Sequence, residues 1–243
     1  MTVIYAVLSV LALMLLFAYG KLVRKKDLWM QVLFGCILVV NVGYTALSAA
    51  RTVAWALVFN GLVYLGSVFL SMCMFLVIYR LCGYTHTRRL PIALAAVALA
   101  MFAIVCTPLY YTSVSLTVVD GAAKLIKDYG PLHNTYLSHI GEGLLGTNLN
   151  FMYLLGYFTA MVVTILRSLG QHRLPSHKHA VLMAAVVLGN IAFWFIEKFI
   201  PWNFEFLSVS YLFSEIILLG LYWILQDNPS SRTDRAVTDA LLS

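Results

Sequence analysis

The chain has 243 residues, 62% of them apolar and only 11% charged, with a mean hydropathy of +0.88. Soluble globular domains run at about 45–50% apolar and 25% charged, so this composition excludes a soluble domain and describes an integral membrane protein. The net charge of +6 does not point to DNA or RNA, because the basic residues gather in short connectors between apolar stretches, where they orient membrane proteins.

A membrane-crossing helix needs about 20 mostly apolar residues. Seven windows meet that length: 3–19, 28–49, 53–79, 91–107, 148–166, 180–199 and 207–225. None alternates strictly between apolar and polar, so they read as helices and not as barrel strands. The first window begins at Val3 with no basic residue before it and no small-residue cleavage site. Its charges follow at Lys21, Arg24, Lys25 and Lys26, the pattern of a retained span entered with the N-terminus outward. With that orientation the inner side holds twelve Lys and Arg residues and the outer side four, Arg51, Lys124, Lys127 and Lys198. The positive-inside rule then places the C-terminus in the cytoplasm. The expected fold is an all-α integral membrane protein with seven transmembrane helices over residues 1–226 and a short cytoplasmic tail, 227–243. No internal repeat relates the first three spans to the last three, which argues against an inverted-repeat transporter.

One long connector, 109–147, faces outward in this scheme. Residues 112–119 are rich in Thr, Ser and Val and predict a strand or hairpin arm ending at Asp120 and Gly121. Residues 122–128 are expected to form one or two turns of helix, and Pro131 suits the first position of another. Gly141, Gly143 and Gly146 break any helix begun there before the fifth span starts.

Polar residues inside spans carry the most information, because each costs free energy unless it has a partner. Counting about 1.5 Å per residue from the outer end of each span, Asn60 lies roughly 10 Å deep, Asn41 and Glu215 roughly 12 Å, and Asn190 roughly 13 Å. Four helices thus contribute to one polar layer in the outer half of the bundle, with Glu215 its acid. Two readings stand: a ligand or ion pocket with Glu215 as charged contact or proton-sensitive group, and plain interhelical hydrogen bonding, worth about 1 kcal/mol or less per Asn. At the outer ends of the sixth and seventh spans, aromatic residues including Trp194 form either an interfacial belt or a wall for an apolar or cationic ligand. Arg51, in the short outer turn between the second and third spans, is placed to neutralise Glu197 or Glu205 or to bind an acidic ligand. The candidate ligand-binding set is therefore Glu215, Asn190, Asn41, Asn60, Arg51, Trp194 and, in the outer connector, Tyr129.

Other chemistry finds little support. Cys36, Cys73 and Cys106 fall inside apolar windows and Cys82 at a span end, so no disulfide framework is expected. His172, His177 and His179 share one basic loop and lack a third ligand nearby, while His133 and His139 lie in the outer connector, so no metal or cofactor is expected. The seventh span has no Lys for a retinal Schiff base, and no Walker loop, G-x-S-x-G or Cys/His pair occurs. No enzyme activity is expected.

Four short motifs occur in order: RRLP at Arg88 to Pro91, CTPLYY at Cys106 to Tyr111, DYGPL at Asp128 to Leu132, and LGN at Leu188 to Asn190. In that order and spacing, over roughly Tyr5 to Gln226, the chain resembles the N-terminal seven-helix sensor domain of bacterial histidine kinases and some diguanylate cyclases. It departs from that pattern at Val186 and Val187, where the family usually has a proline, and in a longer segment from Gly130 to the fifth span. After Gln226 about eighteen residues follow where relatives continue into a dimerising helix and a kinase or cyclase. The resemblance implies a bacterial plasma- or inner-membrane receptor that detects an extracellular or membrane-borne signal, with an extracellular or apolar ligand. It implies relay to a separate cytoplasmic kinase, cyclase or regulator, with membrane lipid and a second copy of the chain as further partners. In the tail, Thr233 is placed to cap a small amphipathic turn carrying Ala236, Val237, Ala240 and Leu241. The alternative is a small transporter or permease subunit using Glu215 for proton coupling.

Overall fold

A computed structural model describes residues 2–23, 26–85, 87–107, 111–119, 121–129, 149–171, 177–199 and 206–227. Among them are seven helices: α1 (Thr2–Leu22), α2 (Leu28–Ser48), α3 (Val53–Leu81), α4 (Arg89–Val105), α5 (Leu149–Gly170), α6 (His177–Phe199) and α7 (Phe206–Asp227). Between α4 and α5 stand two strands, β1 (Tyr111–Val119) and β2 (Ala122–Tyr129). Four helices are long and apolar enough to cross a membrane, with windows at Thr2–Leu22, Leu28–Ser48, Val53–Leu81 and Met152–Gly170. Shorter apolar helical stretches lie at Arg89–Val105, Ala180–Phe193 and Ser208–Tyr222.

The strands correct the expectation of a purely helical chain and of a helix over 122–128. β1 and β2 pair antiparallel, with Val114 opposite Lys127, Leu116 opposite Leu125 and Val119 opposite Ala122. An isolated helix of seven residues is too short to recover its nucleation cost. Gly121, directly before Ala122, instead has φ 74, the left-handed region that glycine enters without a Cβ penalty, and β2 runs back along β1. Across the strands, Ser113 donates a hydrogen bond to the Asp128 carboxylate.

Local chemistry explains the helix ends. The Asp27 side chain accepts the Trp29 N–H at 2.9 Å and caps α2. Thr52 caps α3 by accepting from Trp55 N at 3.4 Å. Past the other end of α3, Gly83 has φ 78 and its N–H donates to the Arg80 carbonyl, the left-handed closure that glycine favours.

The helix α3 is the axle of the bundle. Its residues are apolar all round, and two-thirds (67%) of its apolar window is buried, against 22% for α1. Its 29 residues measure about 43 Å, longer than a hydrocarbon core of about 30 Å, so its ends reach past the apolar layer on both sides. It packs against α2 most closely, because two glycines let the backbones approach. A Cβ on Gly43 would lie 2.8 Å from Val63 Cγ2, and one on Gly66 would lie 2.6 Å from Val40 Cγ2 and 2.9 Å from the Cys36 carbonyl. Side-chain bonds tie α5 to the same axle: Tyr153 Oη donates to the Val68 carbonyl at 2.9 Å and Ser168 Oγ to the Cys82 carbonyl at 2.8 Å. Large exposed apolar residues on α1 and α4, such as Val7, Phe17, Ile92 and Val97, face away from the core as lipid-facing surface does.

Candidate functional site

Polar side chains gather at two ends of the bundle and in one layer between them. At the first end the hairpin sits on α3. Lys127 of β2 donates from Nζ to Asn60 Oδ1 at 2.7 Å and to Tyr64 Oη at 3.2 Å, with its Nζ 4.8 Å from the centre of the Tyr64 ring. The alternation of β2 puts Lys127 on the same face as Leu125 and Ala123, so the hairpin lays its less exposed side on the helices. An ammonium held by an amide oxygen and an aromatic face is an oriented, partly desolvated charge.

At the opposite end four elements meet on Asp27, which is buried (5% exposed) although it carries a charge. Arg80 of α3 makes an ion pair with Asp27 Oδ2 at 2.6 Å. Tyr222 Oη of α7 donates to the same oxygen at 3.2 Å. Tyr19 of α1 accepts the Asp27 N–H at 2.7 Å and donates to the Asp27 carbonyl at 3.2 Å. The rings of Tyr19 and Phe34 meet edge-on at 5.2 Å, and those of Tyr19 and Tyr222 at 6.3 Å. The C-terminal ends of α1, α3 and α7 and the N-terminus of α2 therefore meet at one buried aspartate, α1 on its backbone and α3 and α7 on its carboxylate, whose burial the ion pair and hydrogen bonds offset.

The aromatic contacts also fix the register of the middle layer. Seven residues, two turns or about 10.5 Å, back from Tyr19 is Ala12; the same step onward from Phe34 is Asn41, and back from Tyr222 is Glu215. Ala12, Asn41 and Glu215 are all fully buried and share a level. On α3 that level falls between Val63 and Gly66, one turn inside Asn60, as the glycine contacts with Val40 and Val63 require. Asn190 of α6 joins from the other side. It donates to Ser214 Oγ at 2.6 Å and to the Val186 carbonyl at 2.7 Å, and accepts from Ser210 Oγ at 2.6 Å. Its amide is thus satisfied by α7 serines and not by the carboxyl. Glu215 is one residue past Ser214, about 100° round the helix. It lies on the side that Tyr222 turns toward α1 and α2, and both of its oxygens lack a hydrogen-bond partner among the described residues.

The other sequence-derived candidates are scattered. Asn41 spends its amide N–H on the Ile37 carbonyl at 2.9 Å, leaving Oδ1 buried and unpartnered. Asn60 joins the hairpin through Oδ1, while its Nδ2 is buried without a partner. Arg51 is exposed and makes no ion pair among the described residues. Tyr129 ends β2 opposite Tyr111 and Trp194 lies in α6, but their side chains, like Glu197 and Glu205, fall outside the described part of the structure. The same holds for the six histidines, for Pro131 and the three outer-connector glycines, and for the tail from residue 228 on. Sequence reasoning passed over Asp27, Tyr19, Tyr64, Tyr222, Ser210 and Ser214. An Asp directly ahead of an apolar run is a cap signal and was the one available clue to the lower cluster; tyrosines and serines within apolar spans carry no marker of their partners.

Comparison with known proteins agrees with this architecture. No curated protein matches the chain at a significant level. Residues 1–225, nearly the whole chain, match the family described as the N-terminal 7TM region of histidine kinase, and the chain belongs to that family, a sensor-type membrane domain.

Proposed function

We propose that the chain is a bacterial inner-membrane receptor with seven spans, its N-terminus and hairpin outside, its Asp27 end at the cytoplasmic face, and its signal passed to a separate cytoplasmic partner. One observation carries the reading. The single helix α3 is bonded at one end to the hairpin, through Lys127 with Asn60 and Tyr64, and at the other to Asp27, which also holds Tyr222 of α7. A shift of the hairpin on α3 is thereby felt at the end of the last helix, the one that leads into the tail. Coupling of this kind needs contiguous packed elements with two arrangements, and α3 with its ends tied supplies the contiguous element. The distribution of basic residues gives the orientation, twelve inside against four outside.

Two measurements test the proposal. Single cysteines in place of Lys124 and Lys178 should react with an impermeant thiol reagent from outside and only after permeabilisation, respectively; the reverse pattern overturns the orientation. Joining the hairpin to α3 with a reducible bis-methanethiosulfonate bridge between Lys127→Cys and Asn60→Cys, which spans the reach of the lysine side chain, should then alter the distance between spin labels at Lys26 and at Gln226. An unchanged distance distribution with the bond formed and broken would remove the hairpin from the relay. Proton-driven solute uptake into vesicles that depends on Glu215 would replace the receptor reading with transport.

A further inference from the structure

The unpartnered polar atoms on the α1/α2 side of α7 have one chemistry in common. Glu215 brings Oε1 and Oε2, and Asn41 brings Oδ1. The Asn41 assignment is fixed by its neighbour: the nitrogen must face the Ile37 carbonyl, since two carbonyl oxygens repel, so the free atom is the acceptor. All three atoms are acceptors, and the donor left over at this level is the second N–H of the Asn41 amide. Ala12 adds only a methyl group to the level. The serines that serve Asn190 are turned away from this side and are already bonded to it.

We infer that Glu215 and Asn41, at one level of α7 and α2, bind a small monovalent cation, either an alkali metal ion or a protonated amine. The carboxylate supplies one negative charge, and a single positive charge neutralises it in a medium where an unbalanced charge is costly. A divalent ion would leave one charge over, since Asp27, the other buried acid among the described residues, is already held by Arg80 about two turns or more away. A transition metal lacks its donors: no group of three His, Cys, Asp or Glu residues stands together among the described residues. An anion or neutral acceptor finds no donor among these groups beyond one Asn41 N–H. The inference rests on the proposed receptor reading only in making this layer its receiving site; the binding itself is independent of signalling.

The test uses the full chain in lipid nanodiscs. Its unfolding temperature is followed against sodium, potassium or methylammonium chloride, with N-methylglucamine chloride holding ionic strength constant. The expected result is saturable stabilisation by one of the three small cations, with sodium or potassium identifying an inorganic ion and methylammonium an organic one. Glu215→Gln should raise the apparent Kd by more than about tenfold, the loss of a charge-assisted contact. Asn41→Ala, which removes one neutral acceptor, should weaken binding less while keeping the fold. Three outcomes overturn the inference: no cation-specific stabilisation of the folded wild type, stabilisation unchanged in folded Glu215→Gln, or stabilisation that follows falling pH alone, which assigns the site to a proton. Cation binding without the hairpin-to-tail coupling would discard the receptor reading and leave the site; coupling without cation binding would do the opposite.

Discussion

Replacing Asp27 separates the forces that close the lower end of the bundle. In Asp27→Ala, α2 loses its cap, typically about 1 kcal/mol. Arg80 loses its partner. Because the guanidinium side chain is 47% exposed while the carboxylate is 4% exposed, that ion pair falls between the surface value of about 0–1 and the buried value of about 3–5 kcal/mol, near 2. The Tyr222 hydroxyl loses its acceptor, about 1 kcal/mol more. The Tyr19 bonds go to the Asp27 backbone and survive. The expected total is about 4 kcal/mol. Asp27→Asn keeps Oδ1 for Trp29 and presents Tyr222 with an amide N–H in place of Oδ2, so the cap stays, the tyrosine oxygen can accept, and the charge is lost; it should cost about half as much. Unfolding titrated with SDS in mixed micelles reads both values, and hydrogen exchange in the last turns of α7 should rise in the Ala variant more than in the Asn variant. Equal costs for the two, or a cost for Asp27→Ala below about 0.5 kcal/mol, would refute the assignment of Asp27 as the joint between α2, α3 and α7.

Gly66→Ala should destabilise by about 1–3 kcal/mol, because its Cβ would meet Val40 Cγ2 at 2.6 Å and the Cys36 carbonyl at 2.9 Å, whereas Gly35→Ala, with nothing within 4 Å, should be neutral or slightly stabilising in the same titration. Lys127→Met should release the hairpin at a cost of about 1–3 kcal/mol, seen as faster amide exchange in β1 and β2 with the helices unchanged. Asn190→Leu should cost about 1–3 kcal/mol by stripping Ser210 and Ser214 of their partner, and a double-mutant cycle with Ser210→Ala should show coupling above about 0.5 kcal/mol.

The helices were legible because lipid leaves the backbone no other option over long apolar runs, and hydropathy alone marks where they lie. The hairpin was half legible. The Thr/Ser/Val pattern of β1 and the Asp-Gly turn were readable, but β2, with Ala, Lys and Leu, has the composition of a helix and becomes a strand only because β1 is beside it. The polar layer was legible in depth and not in direction. Counting from span ends put Glu215 and all three asparagines at one level, whereas Asn60 lies a turn nearer the hairpin and bonds Lys127, and the partners of Asn190 depend on a rotation of about 100° between Ser214 and Glu215. The Asp27 joint was the least readable part, since its members come from four elements separated by as much as 195 positions in sequence.

The energetics of the two ends constrain the proposed relay. Moving a two-state element from 1:99 to 99:1 takes about 5.5 kcal/mol of differential binding. The hairpin clamp, one charge-assisted hydrogen bond, one further bond and one cation–π contact, supplies roughly 2–4 kcal/mol when made or broken. Release of Lys127 alone therefore cannot throw a strongly biased switch. Either the Asp27 joint is poised near balance, or the occupant of the Glu215 layer supplies the remainder from the same side of α7 that carries Tyr222. The two cases differ in the resting protein: a poised joint gives two distance populations between the start of α2 and the end of α7 without any ligand, whereas a biased one gives a single population that divides only when the clamp and the buried site are both engaged. Spin labels at Lys26 and Gln226 in wild type and Lys127→Met distinguish them, and a single unchanging population under every combination would exclude a switch at this end.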